Sequence, residues 1–213
     1  MDIAVFHKAV EWQNKNYDFY RSSGGVISTS VCDAAEDTQD CHVATLAAAI
    51  NARDASKVSK KVANVVPVEI DEETFHGSYF DYQRQLLLYN GTVDVGRGRS
   101  LTNPFYKDIE SCLGGSSHLP DLWTFGEFAY AFCQPAYGLK MKPFKIHEAY
   151  LAITSDIVPR TQCRILSWQK DEVLNADPWL EAGQGWWGVF VFSVYNKNTG
   201  QVFGIAASDT DQK

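Results

Sequence analysis

The sequence predicts an α+β fold, with N-terminal helices packed on a mainly antiparallel β-sheet formed by the C-terminal two-thirds. Helical apolar spacing and alanine-rich runs are concentrated before residue 66. After Pro67, short β-branched and aromatic runs alternate with turn residues. The two patterns are segregated rather than alternating as βαβ units, which argues against a doubly wound nucleotide fold. On this reading residues 1–213 are one domain, helical over 1–66 and β-rich over 67–208, with a polar tail at 209–213.

The elements follow in order. Ile3, Phe6, Val10 and Tyr17 share a helical face, which places a helix over 2–17. The run RSSGG at 21–25 breaks it. The β-branched run VISTSV at 26–31 reads as a strand. A second helix is expected over 43–65, with Val43, Leu46, Ala47 and Ile50 on one face and Asp37 or Asp40 as its N-cap. Lys57, Lys60 and Lys61 then fall near the negative helix end.

In YQRQLLLYNGTVDVG at 82–96, Asn90-Gly91 predicts a type I′ hairpin, because both turn residues need positive φ. Residues 103–115 predict a short helix capped by Asn103, opened by Pro104 and ended by Gly114. The segment 121–132 is apolar nearly throughout and fits a buried helix or a strand equally. Residues 144–158 and 161–168 read as strands, and 171–179 as a helical turn. Finally, 186–208 predicts a hairpin turning at NKNTG. Its first strand is apolar on both faces, with Trp187, Val189 and Val191 on one and Trp186, Phe190, Phe192 and Val194 on the other. Such a strand needs cover on both sides, from a helical layer or a partner subunit.

A chain of 213 residues with 45% hydrophobic content buries a full core without staples. Six Trp, ten Tyr and twelve Phe exceed what a core alone asks for and point to a partner surface. The net charge of −7 disfavours nucleic-acid binding, which needs a cationic field. Lys57, Lys60 and Lys61, and Arg97 with Arg99, read as solvated faces. The N-terminus shows no basic stretch followed by an apolar core, and no window of eighteen apolar residues occurs. With five cysteines, an odd number, the expectation is a reducing compartment: the cytoplasm, a host cytoplasm or a virion.

Chemistry-bearing motifs are sparse. The glycine-rich VDVGRGRS at 93–100 lacks the phosphate-loop pattern, and no GxSxG, HExxH or paired CxxC occurs. The stretch VCDAAEDTQDCH at 31–42 is the richest. As a calcium loop it lacks the turn glycine and the acid spacing. As a zinc site it offers adjacent Cys41 and His42 and no second pair. A Cys32–Cys41 disulfide would contribute about 2–3 kcal/mol by loop closure, but the compartment argument opposes it. No metal or cofactor is therefore expected.

Cys41 in the first turn of a helix is a candidate nucleophile, activated by the helix dipole. His118 is a candidate base with Asp121 as its orienter, and His147 on a predicted strand is the rival base. The acids around Cys41 oppose thiolate formation. The simpler reading makes Cys41 a semi-buried helix residue and His42 a solvated neighbour. His76, beside Asp71, Glu72 and Glu73, reads as part of a surface cluster.

The favoured expectation is a non-enzymatic assembly or binding subunit, homo-oligomeric or part of a larger particle such as a viral or phage one. Its interface would use the aromatics Trp123, Trp179, Trp186, Trp187, Phe190 and Phe192. The alternative is a cysteine hydrolase or amidase using Cys41.

Overall fold

The computed structural model describes residues 9–34, 36–50, 55–77, 79–87, 92–94, 100–102, 128–184 and 187–208. The predicted helix over 103–115 and the Asn90-Gly91 turn lie outside them. One six-stranded antiparallel sheet organises the chain, with helices on both faces. The strands are β1 (Val10–Glu11), β2 (Ser28–Asp33), β3 (Val68–Ile70), β8 (Cys163–Ser167), β9 (Val189–Asn196) and β10 (Gln201–Ser208), in the order β1-β2-β10-β9-β8-β3. The α+β class and the C-terminal sheet match the expectation. The segregation is less strict, because β1 and β2 come from the N-terminal third.

The hairpin β9–β10 is the centre. It closes at residues 197–200, with Asn196 Oδ1 accepting from the backbone N–H of Asn198 and Thr199. Its register runs from Gln201↔Asn196 to Ser208↔Val189. Val189 and Val191 pack into one core with Val43, Leu46, Ala47 and Trp168. Phe190, Phe192 and Val194 pack into the other with Ile146, Tyr150, Ile153 and Phe203. The doubly apolar strand is thus covered on both faces by this chain's own helices, and each large side chain buried there contributes about 1.5–3 kcal/mol.

On the first face lies α2 (Gln39–Ala49), backed by α3 (Ala55–Val62), α7 (Asp171–Leu174) and α8 (Pro178–Gln184). The helix expected over 43–65 is therefore two helices. The N-cap of α2 is Thr38, whose hydroxyl accepts from the Cys41 N–H, and not Asp37 or Asp40. The α2 backbone runs so close to β10 that a Cβ at Gly204 would lie 2.3 Å from the carbonyl carbon of Thr45. Ser30 in β2 adds a hydrogen bond to the Thr45 carbonyl at 2.5 Å. Lys61 Nζ ties α3 to the carbonyls of Asn175 and Ala176 just past α7.

On the second face lie α1 (Lys15–Ser22), α4 (Glu72–His76), α5 (Phe128–Cys133) and α6 (Pro143–Ile157). Of the helix expected over 2–17, residues 2–8 lie outside the described residues, residues 10–11 form a strand, and helix begins only with α1, capped by Asn14. The strand expected over 144–158 is the helix α6. Ile146, Tyr150, Ile153 and Ile157 are all buried, and their spacing is helical rather than alternating. Pro143 at its first turn suits a helix start. The undecided 121–132 segment is helical from Phe128 onward. Beside these lie β4 (Phe80–Asp81) paired with β5 (Leu86–Leu87), and β6 (Thr92–Asp94) paired with β7 (Ser100–Thr102). The described partner of β5 is β4 rather than the segment after Asn90-Gly91.

Candidate functional site

Among the described residues, three places carry chemistry-bearing side chains: the start of α2, a cleft beside α4, and the outer edge of β3.

At the start of α2, capping by Thr38 leaves the Asp37 carboxylate available. Its Oδ1 lies 2.7 Å from His42 Nε2, and His42 Nδ1 lies 2.7 Å from Ser193 Oγ. Ser193 Oγ also accepts from Trp168 Nε1 at 2.7 Å. A carboxylate accepts only, an indole N–H donates only, and burial favours the neutral form of His42, so the directions follow. Trp168 donates to Ser193, Ser193 donates to Nδ1 of a neutral His42, and His42 Nε2–H donates to Asp37. Arg164 then bonds Asp37 Oδ2 at 3.2 Å and Glu69 Oε2 at 2.9 Å. The relay runs from the core to the rim with every donor matched.

His42 is therefore not a solvated neighbour: it is fully buried. Burial pushes its pKa below the ordinary histidine value, and contact with Asp37 opposes that push. The order Asp-His-Ser resembles a nucleophile relay, but Ser193 is sealed in mid-strand with no exposure. Its oxygen is already bonded on both sides. No reacting carbonyl reaches it, so the chain of bonds holds α2, β8 and β9 together.

Cys41 occupies the first turn of α2, as expected, but is buried against Ala34 and Val202. Thr38 Oγ1 donates to its sulfur at 3.2 Å. The rival base His147 lies on α6, across the sheet from α2, where its Nδ1 accepts from the Leu87 N–H. His147 and Cys41 are not brought together. His118 and Asp121 lie outside the described residues. Among the described residues, Cys32, Cys41, Cys133 and Cys163 form no disulfide with one another.

The second place is an open cleft of about 360 Å³, lined by Asp71, Glu72, Glu73, Tyr82, Cys163 and Ile165. Glu72 accepts from Tyr82 Oη at 2.6 Å, from the Thr161 N–H at 2.5 Å and from Cys163 Sγ at 3.8 Å. Thr161 holds a φ of +60°, a left-handed backbone rare for a β-branched residue. Arg160 stacks on the Tyr82 ring at 5.0 Å. Burial and the neighbouring Glu72 push the Cys163 thiol up to about 12, so it is neither a nucleophile nor a metal-ready thiolate at neutral pH. Behind the cleft, His76 is buried among Phe80, Tyr82 and Tyr150, not on a surface as the sequence suggested. It bonds Tyr150 Oη at 2.5 Å, and burial pushes its pKa down to about 4. Among the described residues no cluster of His, Cys, Asp and Glu has the geometry of a metal site.

The third place is the β3 edge. β3 pairs with β8 through Val68↔Ser167, Glu69↔Leu166 and Ile70↔Ile165, and has no strand on its other side among the described residues. Val66 is 77% exposed and Val68 38%. The aromatics expected at an interface fall in several places. Trp187, Phe190 and Phe192 are buried in the chain's own core, with Trp187 Nε1 bonded to the Gln134 carbonyl. Gly188, at φ +132°, precedes β9 and lets Trp187 join the Phe190 face rather than the Val189 face. Trp179 is half-buried against the α2 core. Trp123 and Trp186 lie outside the described residues.

Sequence reasoning did not find the β3 edge, because its valines look like core. The available signal was the terminal position of a short strand just after Pro67. Comparisons with protein-family models, with characterised proteins and with solved structures return no match. Among the described residues no helix is long and apolar enough to cross a membrane.

Proposed function

We propose that this chain is a non-enzymatic binding or assembly subunit that joins its partner along the open β3 edge. The partner is a second copy or another component of a larger assembly, such as a viral or phage particle. The observation that carries the reading is the exposure of Val68 on a strand with no further neighbour among the described residues, and of Val66 just before it. Apolar residues on an unpaired edge are a ready template for another chain, and native folds usually cover or charge them. Because Trp187, Phe190 and Phe192 are buried, the reading rests on the β3 edge rather than on the β9 strand.

Further support comes from the chemistry. Cys41 has no histidine bonded to its sulfur among the described residues, and the Ser193 relay is sealed. The hydrolase alternative thus gains nothing from the described geometry. The lack of a disulfide among Cys32, Cys41, Cys133 and Cys163 suits a reducing compartment such as the cytoplasm. The net charge of −7 disfavours a nucleic-acid partner.

Sedimentation of the tagged chain in a lysate of its own source tests the reading. The expected result is a species larger than the monomer. A monomer throughout the gradient, at native abundance, overturns it.

A further inference from the structure

We infer that the occupant of the β3 edge is a basic, extended peptide segment that adds as a seventh strand to the sheet; this rests on the binding reading above. The edge supplies the hydrogen-bonding template. An edge strand turns unpaired N–H and C=O groups outward, and an added strand completes them without needing a matching shape. Val66 and Val68 supply apolar contact for alternate side chains of the added strand.

Charge selects the occupant. Glu69 stands directly across from Leu166, so it projects from the face that carries α2, and its side chain stays 62% exposed even while bonded to Arg164. Ile70 stands across from Ile165 on the opposite face, and there the strand runs into the cleft lined by Asp71, Glu72 and Glu73. A strand laid along β3 therefore meets carboxylates on both of its faces near the same end. The cations beside them are already engaged: Arg164 bonds Glu69 and Asp37, and Arg160 stacks on Tyr82. Lysine or arginine side chains on the incoming strand complement this arrangement, and valine or isoleucine between them match Val66 and Val68. The overall charge of −7 attracts such a segment from a distance and repels a second copy of this chain.

The probe is a fluorescent octapeptide of alternating lysine and valine, measured against the full chain by anisotropy at low and physiological salt. Saturable binding is expected, weakening with salt. Glu69→Lys and Glu73→Lys should each weaken it about tenfold, and Val68→Lys should abolish it. These side chains are exposed or at the rim, and an unchanged thermal midpoint confirms that each variant folds. The deciding arm is the same peptide N-methylated at alternate amides, which keeps its charge and removes strand donors. Its binding should be lost. Equal binding of the methylated peptide, or of an alternating glutamate–valine peptide, overturns the inference. So does a purified dimer that Val68→Lys converts to monomer, because a second copy then holds the edge. A large species in lysate that Val68→Lys disperses, with no binding of the basic peptide to the purified chain, leaves the assembly reading standing while this inference fails.

Discussion

His42 Nε2 and Asp37 Oδ1 are 2.7 Å apart, and the imidazole they anchor is fully buried 151 residues away in sequence from its other partner, Ser193. The pair turns the acidic lead-in to α2 into an internal tie. Removing one member leaves the next donor or acceptor stranded in the core, which costs more than the hydrogen bond itself.

Ser193→Ala is expected to destabilise the fold by about 2–4 kcal/mol, because it strands both the Trp168 N–H and His42 Nδ1. Trp168→Phe removes one of those stranded groups in advance. The double variant should then cost clearly less than the sum of the two single variants. Denaturant midpoints measure this, and strict additivity would show that the relay is not coupled.

Acid should weaken the fold before any carboxylate titrates. Burial lowers the His76 pKa from 6.5 to about 4 and lowers those of His42 and His147 as well. The unfolded chain then takes up protons first as pH falls. The stability is complete above pH 6.5 and declines between 6.5 and the folded-state values. For His76 alone, the loss from pH 7.5 to pH 5 is on the order of 2 kcal/mol. Urea unfolding at the two pH values tests this, and His76→Phe should flatten the slope.

Gly204→Ala and Gly138→Ala separate two reasons for glycine. At 204 a Cβ meets the Thr45 carbonyl group at 2.3 Å and Leu46 N at 2.7 Å, all backbone. Relief requires α2 to lift off β10, and a cost of about 3 kcal/mol follows, or roughly 6–12 °C in the thermal midpoint. At 138 nothing lies within 4 Å, and only the φ of +71° opposes a side chain. About 1 kcal/mol is expected there. Equal effects at the two sites would contradict the close helix–strand approach.

Cys163 should resist iodoacetamide at pH 8, where an ordinary thiol reacts. Glu72→Gln removes the adjacent charge and should raise the rate. Peptide mass spectrometry reads the modification directly. Rapid labelling of Cys163 in the unmutated chain would contradict its raised pKa.

The hairpin 186–208 was legible because two long apolar runs flank one polar turn, a pattern few other structures satisfy. α6 was misread because its β-branched residues suggested strand, although Ile146, Tyr150, Ile153 and Ile157 follow the helical period. The Asp37–His42 contact was half legible. Choosing Thr38 as the cap would have left Asp37 for the histidine, but Ser193 and Trp168 reach it only through sheet register. Burial of the aromatics was equally hidden, since composition counts rings without showing how many fit between helices and sheet. The reverse holds at β3, where valines that look like core stand at an edge that only the strand order reveals.

The pairing of β2 with β10 has a consequence for how the protein is made. Gln201 bonds Asp33 across 168 residues of sequence, and β2 has no other long partner in the sheet. As the chain emerges from the ribosome, β1, β2 and α2 must wait for β10, some 168 residues after Asp33, before their platform exists. Loop closure over such a span is slow, and exposed strand edges invite wrong pairings meanwhile. The apolar faces of α2 and β2 stay uncovered until then, and the eight residues of β10 complete the platform on which they pack.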